Sequence, residues 1–148
     1  MKIYLDTSII SAYFDKRAPE RQESTKKFWA EILPQYDVFI SEINKEELKA
    51  TGDSELKKEF IQIVEDFGIL SVNNEIEKLA KEYIKHEIFP EKYFDDSLHV
   101  AIASYHDIDY ILSWNFEHIV KVKTRKLVKS VNVLNNFREI EIISPQEL

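Results

Sequence analysis

The chain contains no cysteine and only two glycines, Gly52 and Gly68, among its 148 residues. The first absence removes disulfides, thiolate zinc sites and cysteine nucleophiles together, so any metal must be held by oxygen or imidazole. The second rules out both a dinucleotide-binding fingerprint and a phosphate-cradling P-loop, since each needs several glycines where the backbone approaches phosphate. Long apolar runs are also missing, and none approaches the roughly 20 residues that a helix needs to cross a bilayer. Met1 and Lys2 lead straight into Ile3, Tyr4, Leu5 and the acid Asp6, with no signal-peptide apolar region or cleavage site, so the expected location is the cytoplasm. Nor is there an excess of positive charge. A formal net charge of -7 argues against a protein that coats nucleic acid by bulk electrostatics, while leaving room for a local basic stripe.

What is present is globular in character. A hydrophobic share of 44% beside a charged share of 32% supports one domain of ordinary size, expected to span residues 1–148. Short β-prone runs predict strands over 2–5, 37–40, 69–72, 110–113 and 140–143. Between them, helices are predicted over about 9–14, capped by Thr7 or Ser8, over 20–33, ended by Pro34, and over about 41–50. An amphipathic helix carries Phe60, Ile61, Val64 and Phe67 on one side and is stopped by Gly68. Asn74 caps a helix running to Ile84, residues 94–106 form another, and 123–137 are partly helical. Strands alternating with helices through short connections predict an α/β fold, with a mostly parallel sheet covered on both faces. In such sheets the functional crevice lies beyond the carboxyl ends of the strands, so polar residues just after strands carry the most weight.

Asp6 follows the first strand directly, where a carboxylate projects into that crevice or, equally, caps a helix. After the second strand comes Ser41-Glu42-Ile43-Asn44-Lys45-Glu46-Glu47-Leu48. On a helix, Glu47 shares a side with the apolar Ile43 and Ala50, which turns it toward the protein and leaves Glu42 and Glu46 toward solvent. Farther on, Asp96 sits in the first turn of a very apolar helix, on one face with His99, while Asp95 is the expected cap. A buried aspartate needs a compensating partner, and a bound cation is one such partner. Asn115, in Leu112-Ser113-Trp114-Asn115-Phe116, follows a strand as well and serves either as a turn residue or as an oxygen donor. Oxygen ligands of high negative charge select a hard cation, Mg²⁺ or Mn²⁺. No serine, histidine and aspartate in plausible order compete as a nucleophilic set, which leaves water as the nucleophile.

In order along the chain, Ile3-Tyr4-Leu5-Asp6-Thr7-Ser8, the segment from Ile40-Ser41 to Glu47-Leu48, Asp96-Ser97-Leu98-His99 with its alanine-rich helix, and Leu112 to Phe116 resemble the PIN-domain ribonucleases. The likeness is greatest to the bacterial and archaeal toxins of VapC-type toxin–antitoxin pairs. It implies a three-layer α/β/α sandwich around a sheet of about five strands. The implied activity is Mg²⁺- or Mn²⁺-dependent endoribonuclease cleavage that leaves a 5′-phosphate. Carried over by position, Asp6, Glu47 and Asp96 match the family's acidic metal ligands, Asn115 its variable fourth acid or amide, and Ser8 its hydroxyl near the metal. Asn115 is a departure, because an amide lowers the site's negative charge and leaves one-ion and two-ion catalysis both open. A one-residue slip would make Glu46 the ligand instead of Glu47. The resemblance also implies a homodimer and a small antitoxin whose tail occupies the acidic cleft.

RNA requires positive charge near such a pocket. Lys121, Lys123, Arg125, Lys126 and Lys129 form an acid-free stretch that either holds the RNA backbone or is simply a solvated helix face. Lys16, Arg17 and Arg21 make a second candidate rim. Alternative functions are a PIN-like binding module without catalysis, a solitary RNA-processing nuclease, and cleavage of DNA. A phosphatase of the haloacid-dehalogenase type is disfavoured, since Ser8 stands where its second aspartate would be.

Overall fold

The computed structural model describes residues 1–148 and contains five strands, all parallel, in the order β3-β2-β1-β4-β5. The strands are β1 (Lys2–Leu5), β2 (Asp37–Ser41), β3 (Gly68–Leu70), β4 (Tyr110–Leu112) and β5 (Glu141–Ile143). The helices are α1 (Thr7–Phe14), α2 (Pro19–Glu31), α3 (Glu42–Lys49), α4 (Ser54–Ile63), α5 (Asn74–Lys85), α6 (Phe94–Tyr105) and α7 (Val122–Leu134).

Alternation along β1 decides which helix goes where. Ile3 and Leu5 point to one face, where they pack with Ile9 and Ile10 of α1, Phe28 of α2, Leu48 of α3 and Phe60 of α4. Tyr4 points to the other face, among Ile76 and Leu79 of α5, Val100 and Ala101 of α6 and Val128 of α7. The chain therefore forms three layers, helices on both sides of a sheet, as the alternation and the resemblance imply. From β1 the sheet grows outward through β2 to β3, and the chain then returns to place β4 on the other side of β1 and β5 beyond it. Crossovers of one hand run in opposite directions put their helices on opposite faces, which accounts for the two layers. The strand order thus reverses between β1 and β4, and their carboxyl ends frame the crevice of an open α/β sheet.

Local details depart from the sequence expectations in instructive ways. Of the caps envisaged for α1, Asp6 is the one found, in place of Thr7 or Ser8, and it accepts a bond from the Ser8 amide. Asn73, one residue before the expected Asn74, caps α5. Tyr93 precedes α6 with no side-chain cap, so Asp95 lies inside the helix and is exposed. Gly68 does not stop a helix. α4 ends at Ile63, and Gly68 opens β3 opposite Phe39, with Phe67 outside the helix and Ile61 49% exposed. Ala50, expected on the inner side of α3, is exposed at its end. The misplaced ends of α3 and α4 share a cause. Apolar period finds the buried stripe, but the last turn of a helix is decided by the chain that packs over it.

Gly68 is required by that packing. A Cβ there would stand 2.5 and 2.6 Å from Cδ1 and Cε1 of the Phe39 ring. Gly68→Ala is expected to displace the ring and cost about 1–3 kcal/mol, read as a lower urea midpoint with unchanged slope.

Candidate active site

Asp6, at the end of β1, is 5% exposed, and its two carboxylate oxygens have different surroundings. Oδ2 accepts from Ser8 Oγ at 2.6 Å, from Ser113 Oγ at 2.8 Å and from the Ser8 amide at 3.4 Å. Oδ1 takes none of these bonds and faces Nε2 of His99 at 3.7 Å. The cap and the site are therefore one arrangement: the hydroxyls after β1 and β4 fix one oxygen and leave the other directed at the crevice.

Glu47 projects from α3 to the same place, whereas Glu46 is exposed. Its Oε1 accepts from Thr7 Oγ1 at 2.9 Å and pairs with His99 Nε2 at 2.6 Å. Burial alone would raise the Glu47 carboxyl, but the bond and charge of His99 together with the Thr7 hydroxyl outweigh it and hold the group below the ordinary carboxylate range. The same partnership works on His99. Burial would lower the imidazole, yet the Glu47 bond and the charges of Asp6, Glu47 and Asp96 leave it above its usual value.

Behind His99 lies a hydrogen-bonded chain that the sequence reading did not anticipate. Nδ1 of His99 meets the Tyr4 hydroxyl at 2.6 Å, and that hydroxyl also meets Ser41 Oγ at 2.7 Å and Asn44 Oδ1 at 2.9 Å. Asn44 Nδ2 then donates to the Leu5 carbonyl and to Thr7 Oγ1, both at 3.0 Å. Every member except Thr7 is buried. One signal for this was present: Asn44 stands three residues after Ser41, the spacing of a capping box, which the structure confirms. Tyr4 looked like any strand residue.

Asp96, on the first turn of α6, completes the cluster. Its carboxyl is pushed up to about 6, first by burial and then by the charge of Asp6, with Glu47 adding and His99 and His118 opposing. The Asp96 carboxylate accepts no hydrogen bond within the protein, unlike those of Asp6 and Glu47. This is a half-buried acid among acids, short of positive charge, and its donor chemistry fits a hard cation. The residues do not form a closed cage in advance, since no three acids or histidines converge on one point.

Ser8 stands beside Asp6. Asn115 uses its Oδ1 to accept from the His118 amide at 2.9 Å, which is the turn role envisaged as one alternative. In the basic stretch, Arg125 is spent on a two-pronged pair with Glu147 at 3.0 and 3.1 Å, and Lys129 pairs with Glu141 at 2.7 Å. Lys121, Lys123 and Lys126 are exposed and form no ion pair. Of the second rim, Arg17 pairs with Asp15 at 3.0 Å, while Lys16 and Arg21 have no acidic partner.

A parallel α/β sandwich with an acidic cluster at the reversal of strand order defines the class. Within that class, the PIN domain model matches residues 3–119, and the chain belongs to the PIN domain family. No curated protein matches the chain in sequence. Solved structures match it in fold. VapBC-1 from nontypeable Haemophilus influenzae superposes with a TM-score of 0.63 at 16% identity, over 99% of either chain. The Mycobacterium tuberculosis toxin VapC20 gives 0.62 at 19% identity, over 78% of this chain and 92% of that one. VapBC2 from Rickettsia felis gives 0.57 at 11% identity, over 97% and 98%. No helix is long and apolar enough to cross a membrane.

Two stability measurements check the electrostatics and the buried chain. With a carboxyl near 6 in the folded protein against an ordinary 3.8, the folded state holds the Asp96 proton more tightly than the unfolded state. Stability associated with this group is therefore full below about pH 4 and lost as pH rises through about 6. In metal-free buffer, Asp96→Asn is expected to be more stable than wild type by about 1 kcal/mol at pH 7, after allowing for solvent screening, with the gain vanishing near pH 4. Equal melting of the two proteins at pH 7 would refute this. Tyr4→Phe leaves Ser41, Asn44 and His99 each short of a partner and is expected to cost about 1–3 kcal/mol in denaturant unfolding.

Proposed function

We propose that the chain is a single-domain, metal-dependent endoribonuclease and the toxin of a toxin–antitoxin pair. The observation that carries this reading is the pairing of Asp6 and Glu47 with His99 at the switch point of a PIN fold, with Asp96, from a third element, near enough to feel the charge of Asp6. The matched structures support it, since VapC20 is described as a sarcin-ricin loop cleaving toxin and others are toxin–antitoxin assemblies. Their antitoxins make a small protein partner part of the proposal, and the family resemblance adds a homodimer.

Asp6 through Oδ1, Asp96 through its unbonded carboxylate and Glu47 through Oε2 are the residues that would hold Mg²⁺ or Mn²⁺. When bound, such an ion supplies Lewis acidity to phosphoryl oxygens and lowers the pKa of water. The protein's own contribution is positional. Ser8 and Ser113 fix Asp6, Thr7 and His99 fix Glu47, and the Tyr4–Asn44 chain fixes His99, so Asp6 and Glu47 each present one defined oxygen. Hydrolysis then adds the water oxygen to phosphorus and breaks the P–O3′ bond, leaving a 3′-hydroxyl and a 5′-phosphate.

A binding module without catalysis is favoured by one observation, the commitment of Glu47 Oε1 to His99 in place of an open ligand position. Cleavage of an unpaired RNA by purified protein separates the two. Wild type is expected to cut with Mg²⁺ or Mn²⁺ and to stop in EDTA, and Asp6→Asn and Asp96→Asn to lose at least about 100-fold. Asn preserves the cap at position 6, so a loss there is not a folding effect. Undiminished cleavage by both variants would sink the mechanism. Calorimetric titration of Mn²⁺ into the same proteins reads the ion site without relying on turnover, and binding is expected to weaken in both.

A further inference from the structure

Beside the carboxylates lies a groove of about 510 Å³, whose wall includes Ser8, Arg21, Trp114, Asn115 and Phe116. It continues past Arg21 and Phe116 toward Pro19 and Ser24. Ser8 is shared between the two sites. Its Oγ donates to Asp6 Oδ2 at 2.6 Å and accepts from the Trp114 amide at 2.9 Å. Trp114 is held from the far side as well, its indole N–H donating to Thr25 Oγ1 at 2.9 Å, and Thr25 Oγ1 donating to the Arg21 carbonyl at 2.7 Å. The floor of the groove is therefore rigid and is registered on Asp6.

Over that floor sits the guanidinium of Arg21, 5.2 Å from the Trp114 ring and 5.9 Å from Phe116. Asp15, the acid facing it, is taken by Arg17 through two bonds at 3.0 Å, and Glu20 and Glu117 line the rims without pairing to Arg21. Phe116 is 45% exposed, which leaves an aromatic face open to solvent beside an unpaired cation. An exposed ring and an adjacent guanidinium are the two groups that unpaired nucleotides use, the ring for base stacking and the cation for phosphate. In a chain of net charge -7, a cation that forms no ion pair, next to the acidic centre, is what an anionic strand must find.

The geometry points to this groove as a subsite for an unpaired nucleotide of the RNA strand, with its base on Phe116 and its phosphate on Arg21, next to the scissile position. The assignment rests on the ribonuclease reading for its substrate, but its test does not require cleavage. Binding of a fluorescein-labelled unpaired RNA oligonucleotide is measured by anisotropy in EDTA over a range of salt. Phe116→Ala is expected to weaken binding about tenfold with an unchanged salt slope, and Phe116→Tyr to restore it. Arg21→Ala is expected to weaken binding and to reduce the slope of log affinity against log salt by about 0.7, the share of one phosphate contact on a single strand. A duplex of the same sequence, whose base faces are covered, is expected to bind more weakly and to be insensitive to Phe116→Ala. Wild-type affinity in both alanine variants, or equal loss on the duplex, overturns the subsite. Wild-type protein that binds the oligonucleotide in this pattern yet never cuts it would overturn the nuclease reading and leave the subsite standing.

Discussion

The buried hydroxyl of Tyr4 is the constraint on which the site depends. A tyrosine in the middle of a central strand must find partners for its O–H or lose the stability that burial of its ring brings. Here the hydroxyl meets Ser41 and Asn44 at the start of α3 and His99 on α6, three contacts between 2.6 and 2.9 Å. One residue of β1 thereby sets the position of two helices that carry acids, Glu47 and Asp96. The neighbouring residue Leu5 lends its carbonyl to Asn44, and the next, Asp6, is the third acid. Distances among the carboxylates follow from a polar network inside the fold, and a change of one atom at Tyr4 would be felt at all of them.

Such a cluster is costly before any ion or substrate arrives. Asp96 sits among like charges in a half-buried place, and burial with the charge of Asp6 drives its carboxyl toward the neutral form. His99 offsets part of this by facing Glu47 at 2.6 Å and Asp6 at 3.7 Å. The histidine has both ring nitrogens engaged, one by Tyr4 and one by Glu47. Local instability of this kind is common where a protein prepares a site for a charged partner.

Much of this was legible in the sequence, and the limits have a physical pattern. β1, β2 and β4 announced themselves as short apolar runs closed by polar residues, and that placed Asp6, Ser41 and Ser113 at strand ends. The inward turn of Glu47 was read from Ile43 and Ala50, of which only Ile43 is on the inner side. Features decided within a few residues were thus readable. Tyr4, Thr7 and Asn44 were missed because their importance depends on partners up to 95 residues away. The pairing of two members of the basic stretch was hidden for the same reason, since the acids that claim Arg125 and Lys129 lie 22 and 12 residues further on. Asn115 lay between these cases, its turn role being local and its place beside Ser8 being set by the fold.

The reversal of strand order at β1 has a kinetic side. Asp6 receives its Ser113 hydroxyl from a residue 107 positions later, and His99 reaches Tyr4 across 95. β1 can pair with β2 early, but its other edge stays open until β4 has been made, so half of the acid pocket has no wall until then. Contacts this distant in sequence close late in folding. A chain still emerging from the ribosome would carry its carboxylates unassembled, and the acidic pocket would come together only with the nearly complete fold.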